Sequence, residues 1–237
     1  MKKRVLSIIA MLAMTVSMAA CSSGGSDTPA PTPTEGEEGG EVSSDAGDLI
    51  TVGYAQVGAE SDWRTANTES FKSTFTEDKG YKLIFDDAQQ KQENQIKAIR
   101  SFIQQDVDYI VVAPVVETGW ETVLEEAKEA GIPVILSDRM MQLSDDELYV
   151  AWVGGNFVKE GETCGEWLAD YLEAQGRGEE EINIVTIQGT IGASAQVGRT
   201  EGFGNILAQH DNWNMLDMQS GEFTQAKGQE VMESFLK

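Results

Sequence analysis

The stretch YIVVAPVVETGWETVLEEAKEAGIPVILSDR, residues 109–139, decides the fold. It opens on an apolar run of strand length, Tyr109 to Ala113, and closes on another, Val134 to Leu136. Between them Trp120, Val123, Leu124 and Ala127 recur at the spacing of one helix face. Two strands apolar on both faces and joined through a helix form a parallel pair, since a crossover is what returns the chain to run in the same direction. The alternation extends outward from this unit. Ile50 to Ala55, Tyr81 to Phe85, Leu148 to Val153, Ile182 to Ile187 and Met215 to Met218 read as further strands, and Ile96, Ile99, Phe102 and Ile103 mark another amphipathic helix. The expected fold is α/β, two doubly wound parallel lobes over residues 49–153 and 154–237. The second lobe shows two strands, and its last helix reaches Lys237 without a stop signal, so it is expected to be incomplete.

Ligands of open parallel sheets settle outside the carboxyl ends of the strands, which aims Asp138 and Arg139 at a crevice. A carboxylate accepts hydrogen bonds while a guanidinium donates up to five, and together they match the hydroxyls of a neutral polyol. A surface ion pair, or an Asp capping a following helix, accounts for the same dipeptide. Other polar residues fall at the same edge. Trp63 and Arg64 open a helix after the first strand, where a hydrophobic staple is the commoner fate of such an aromatic, while a flat ring beside a guanidinium also suits an amphipathic sugar face. Gln89 and Gln90 follow the second strand and suit either ligand binding or solvation. Gln188 to Ser194 form a glycine-bearing loop, with Arg199 in the helix beyond it. This loop lacks the phosphate-loop lysine and the full dinucleotide pattern, so a neutral ligand fits it better than phosphate.

The chain begins with Lys2, Lys3 and Arg4 followed by a short apolar run to Ala20, the pattern of an export signal over residues 1–20. Met18-Ala19-Ala20-Cys21 resembles a lipobox, in which Cys21 would be lipidated. From Ser22 to Asp48 the chain carries three prolines, seven acidic residues and no Lys or Arg, a composition that cannot bury enough to fold. As a flexible tether, residues 21–48 would reach roughly 30 Å. The formal charge is −23; setting aside the three basic residues of 1–20 and the seven acidic ones of 21–48 leaves 33 acidic against 14 basic, a body of −19. Such a body argues against nucleic acid and anionic lipid as partners. His210 is the sole histidine, which leaves no multi-histidine metal site or His-dependent triad, and no cofactor is implied. With Cys21 acylated, Cys164 has no partner, and its helical spacing with Phe157, Gly161, Leu168 and Tyr171 predicts a buried small hydrophobe.

The segments QVGAESDWR (56–64), QQKQENQIKAIRSFI (89–103), residues 111–139, IQGTIGASAQVGR (187–199) and SGEFTQAKGQEVMESF (220–235) resemble the ribose- and galactose-type sugar-binding proteins of ABC importers, the type I periplasmic binding proteins. That resemblance implies two Rossmann-like lobes joined by a hinge, with a monosaccharide, galactofuranose or a related hexose, held between them. It implies ligand contacts from Trp63, Arg64, Gln90, Asp138, Arg139, Arg199 and Phe223. An Asn and an Asp that the family uses from later strands have no counterpart up to Lys237. The lipobox departs from freely periplasmic members and points to a receptor tethered to the outer face of a cell membrane. The implied partner is an ABC permease, and the implied state of the complete protein is a monomer. A module presenting sugar to a chemoreceptor or sensor kinase is the alternative. A glycosidase would need two carboxyls flanking a bond, and the Arg139 beside Asp138 speaks against that use.

Overall fold

The computed structural model describes residues 49–237; the export signal, Cys21 and the tether lie outside the described residues. The described residues hold together as one compact unit. In chain order the elements are β1 (Ile50–Gln56), α1 (Asp62–Thr74), β2 (Tyr81–Asp87), α2 (Gln92–Gln104), β3 (Tyr109–Val112), α3 (Glu121–Ala130), β4 (Val134–Ser137) and β5 (Ala151–Val153). There follow α4 (Phe157–Ala174), β6 (Ile182–Gln188), α5 (Ser194–Leu207), β7 (Trp213–Ser220) and α6 (Gln225–Phe235). The first five strands form one parallel sheet in the order β2-β1-β3-β4-β5, and β6 pairs with β7, also parallel, in a second. The strand order of the first sheet reverses between β1 and β3, which opens a crevice beyond their carboxyl ends.

Both faces of the first sheet are covered at its centre, which is why β1, β3 and β4 are largely apolar, whereas the edge strand β5 is exposed. Ile99 and Phe102 of α2 and Val123, Leu124 and Ala127 of α3 pack with Ala55, Ile110, Val112 and Leu136 on one face. On the other, Phe71 of α1 and Phe75, which caps its C-terminus, pack against Val52, Tyr54 and Val111. The Tyr54 and Phe71 rings stack at 4.1 Å. A smaller core beside the second sheet gathers Leu172, Ile182 and Trp213. There α4 and α5 touch backbone to backbone. A Cβ on Gly202 would collide with the Val158 carbonyl, and one on Gly161 with the carbonyl of Arg199.

Three expectations need correction. Leu148 is not in a strand: Asp145 caps a one-turn 3-10 helix, Asp146–Leu148, through its Oδ1 and the Glu147 N–H, and β5 starts only at Ala151. Strand β7 begins at Trp213, whose burial joins it to the core before the run Met215 to Met218. Cys164 is exposed rather than buried. The helix α4 turns Phe157, Gly161, Gly165 and Leu172 inward, and Cys164 falls beside that line.

Candidate functional site

Several strands of this chain end in backbone that side chains rarely adopt. Gln89 and Gln90 after β2, Asp138 after β4, and Glu222 and Phe223 after β7 all have φ between 53° and 63°. A left-handed Asp is common enough, but a bulky Phe there is an outlier that its surroundings must hold. Phe223 is held by Gly189, where any Cβ would run into its ring. Left-handed turns at carboxyl ends re-aim the side chains, and three of the sequence-predicted residues converge through them or beside them.

They meet in a pocket of about 240 Å³ lined by Glu60, Trp63, Arg64, Asp138, Arg139 and, from the second sheet's side, Arg199 and Phe223. Ser61 caps α1 by accepting the Arg64 N–H at 3.2 Å, which starts the helix so that Arg64 points inward and is buried. Its Nη2 donates to Asp138 Oδ2 at 2.6 Å and its Nε to Glu60 Oε1 at 3.1 Å. Arg139, 3 % exposed, donates from Nη2 to the same Glu60 oxygen at 3.2 Å. Its Nη1 faces the carbonyl oxygens of Val115 at 3.3 Å and Pro114 at 3.5 Å. Burial, with the Arg64 guanidinium beside it, pushes Arg139 down to about 10, so it carries its charge at neutral pH. Asp138 also accepts at its backbone oxygen from Trp152 Nε1 at 3.1 Å.

Aromatic faces flank these charges. The Arg64 guanidinium lies 4.8 Å from the centre of the exposed Trp63 ring, and that of Arg139 4.9 Å from the centre of Phe223. Arg199 is tied by Nε to Glu160 Oε2 at 2.8 Å and sits over Phe157. The two sides of the pocket are joined directly: Ser194 Oγ accepts the Met140 N–H at 2.9 Å, and the Gly192 oxygen accepts the Glu117 N–H at 2.8 Å.

Six of the seven predicted ligand residues are therefore brought together. Gln90 is not: its N–H donates to the Val57 oxygen at 2.7 Å, and its exposed side chain lies against Gly58, outside the pocket lining. Arg139 is too buried for a surface pair, and no helix follows Asp138 for it to cap. Trp63 is exposed and does not act as a staple. The glycine loop spends amides internally, Gly192 N on Gln196 Oε1 and Ala193 N on the Thr190 oxygen, which removes the phosphate cradle. Glu60 was missed by sequence reading. An acid four residues before Arg64 on a strand-to-helix turn was the available signal, but its second arginine is distant in sequence. Among the described residues Glu60 Oε2 and Arg64 Nη1 are buried without a partner.

Three guanidiniums are matched by three carboxylates, Arg64 and Arg139 with Glu60 and Asp138, and Arg199 with Glu160, which offers directional donors and acceptors without calling for a counter-ion. A larger cavity of about 850 Å³ opens along β6 between α4, α5 and β7. Its walls are mostly aliphatic and aromatic, whereas the convergent polar groups that orient a small ligand are in the smaller pocket.

Residues 52–237 match the profile of the periplasmic binding protein domain. The chain belongs to that family. The fold is that of the type I periplasmic binding proteins, α/β with parallel sheets. The galactofuranose-binding protein YtfQ of Escherichia coli K12 is 49 % identical over 188 residues, 79 % of this chain and 57 % of that protein. Two solved structures are similar. One, from Mycobacterium smegmatis in complex with beta-D-fucofuranose, has a TM-score of 0.75 at 48 % identity, covering 79 % of this chain and 60 % of that one. The other is the periplasmic binding protein component of the arabinose ABC transporter from Shewanella sp. ANA-3, bound to alpha- and beta-L-arabinofuranose. It has a TM-score of 0.72 at 50 % identity, covering 78 % of this chain and 59 % of that one. This periplasmic binding protein thus spans well under two thirds of the length of those relatives.

Proposed function

We propose that the protein binds a monosaccharide in furanose form, galactofuranose or a related sugar, between its two lobes and delivers it to the permease of an ABC importer. The observation that carries the reading is the Glu60–Arg64–Arg139 cluster, whose residues line the pocket together with Asp138 and Arg199. Carboxylates accept and guanidiniums donate, and sugar hydroxyls, each both donor and acceptor, would meet both kinds of group together. Trp63 and Phe223 supply flat faces for the C–H side of a ring. The furanose form is favoured by the relatives named for galactofuranose, fucofuranose and arabinofuranose ligands.

Mechanistically the ligand would act as a bridge. Arg64 and Asp138 approach from the first sheet's side, Arg199 and Phe223 from the second's, so sugar contacting both favours the closed arrangement and shifts its population. The permease would read that closed form. Lipidation of Cys21 would hold the receptor at the outer face of the membrane, at the end of the acidic tether. Calorimetric titration of the complete protein against a panel of pentoses and hexoses, with methyl furanosides and methyl pyranosides of each, tests the reading. Tighter binding of a furanoside than of its pyranoside supports it, and binding of no sugar in the panel removes it.

A further inference from the structure

We infer that Gln95 is a positioning residue for the sugar site, setting the Arg139 guanidinium from a place where it touches no ligand. The inference rests on the sugar-binding reading above. Gln95 belongs to α2 and is completely buried at the crevice where the strand order reverses. Its Nε2 donates to the Ala55 oxygen of β1 at 3.1 Å and to the Ala113 oxygen just after β3 at 2.6 Å. Its Oε1 accepts the Val115 N–H at 2.9 Å. One carboxamide therefore ties both walls of the crevice together, using both of its donors and one acceptor.

The consequence falls on Arg139. The segment Pro114–Val115 that Gln95 clamps presents the two carbonyl oxygens that Arg139 Nη1 faces, at 3.5 and 3.3 Å. On the other wall β1 leads to Glu60, which takes the other end of the same guanidinium at 3.2 Å. Both supports of Arg139 thus hang from strand ends that Gln95 joins. A carboxylate at this position would set negative charge against two carbonyl oxygens, and an aliphatic side chain would leave the clamp undone. Neither would alter a group at the pocket surface.

A double-mutant cycle in the complete protein separates positioning from stability. Gln95→Met keeps the length and removes the hydrogen bonds; Arg139→Lys keeps the charge and removes the planar fork. Sugar affinity is measured by calorimetry well below the lowest melting temperature of the set, with the tightest-binding sugar of the panel. Gln95→Met should weaken binding about tenfold when Arg139 is present and less than about twofold in the Arg139→Lys background. Equal losses in both backgrounds would make Gln95 a purely structural residue and overturn the inference, as would unchanged affinity in the first. Gln95→Asn, which keeps a carboxamide but withdraws it from Val115, is carried through the same cycle and read the same way should the Met variant not fold. If the unmutated protein binds sugar and Arg139→Lys weakens it while neither Gln95 variant does, this inference alone fails. If the unmutated protein binds none, the sugar reading fails and takes it along.

Discussion

Arg139 Nη2 lies 3.2 Å from Oε1 of Glu60, 79 positions earlier in the chain, and both side chains are almost fully buried. The same oxygen takes the Nε of Arg64 at 3.1 Å, so one carboxylate oxygen holds two guanidiniums side by side. Like charges at that range repel, and they stay together because Glu60 and Asp138 lie between and beside them. The geometry orients two planar donor arrays toward one small space.

Arg139→Ala and Asp138→Asn should each weaken sugar binding by at least about tenfold, since a charge-assisted hydrogen bond is worth roughly 1.5–3 kcal/mol. Their stabilities should diverge: Arg139→Ala lowers the melting temperature because it strips a buried partner from Glu60, while the near-isosteric Asp138→Asn lowers it less. Calorimetry and thermal melts on the same two variants check this, and unchanged affinity in both would remove the pair from the site.

Glu60→Gln leaves two buried guanidiniums without their shared charge and should cost about 3 kcal/mol or more of stability. Glu126→Gln breaks the exposed pair with Arg100, despite its two hydrogen bonds of 2.7 Å, and should hardly move the melting temperature. Equal denaturation midpoints for the two variants would contradict the weight placed on burial.

Gly161→Ala pushes a methyl group into the Arg199 carbonyl and within 2.8 Å of the Phe203 nitrogen. The helices α4 and α5 must separate, at roughly 1–3 kcal/mol. Because Arg199 rides on the displaced backbone, affinity should fall along with stability. A destabilised variant with full affinity would show that Arg199 does not report on this contact.

Burial raises the Glu117 carboxyl above its ordinary value. In the window just above that ordinary value the folded state holds more protons than the unfolded chain, so this group's contribution to stability is lost as pH rises through the folded value. Glu117→Gln should therefore melt higher than the unmutated protein at pH 7, with the gap closing near pH 4 as Glu117 takes up its proton. Melts across that range check the sign; a gap that widens on acidification would reverse it.

If Cys21 carries the lipid at the head of an acidic tether, Cys21→Ala should move the protein out of the membrane fraction without changing its melting temperature. Cell fractionation after signal cleavage decides it, and an unchanged membrane fraction would remove the lipid anchor.

Alternating apolar runs determined the parallel α/β organisation, because a strand buried on both faces and a helix buried on one leave different periods in the chain. Position within those units was equally legible: a residue just after a strand is at the carboxyl edge whatever it later touches, and Trp63, Arg64, Asp138, Arg139, Arg199 and Phe223 do reach one pocket. Which charge meets which was a matter for the tertiary structure alone. Asp138 adopts φ 63° and turns to Arg64 rather than to its neighbour Arg139, while Arg139 crosses to Glu60. Gln90 stands at the same edge yet outside the pocket, because its left-handed backbone and the bond to Val57 carry it past the rim. Burial of Cys164 failed as a reading for a related reason: helical spacing gives a face, but what covers the face depends on the helix packed against it, here α5 against Gly161 and Gly165. Periodicity is a property of neighbours in the chain, whereas pairing and coverage are properties of neighbours in space.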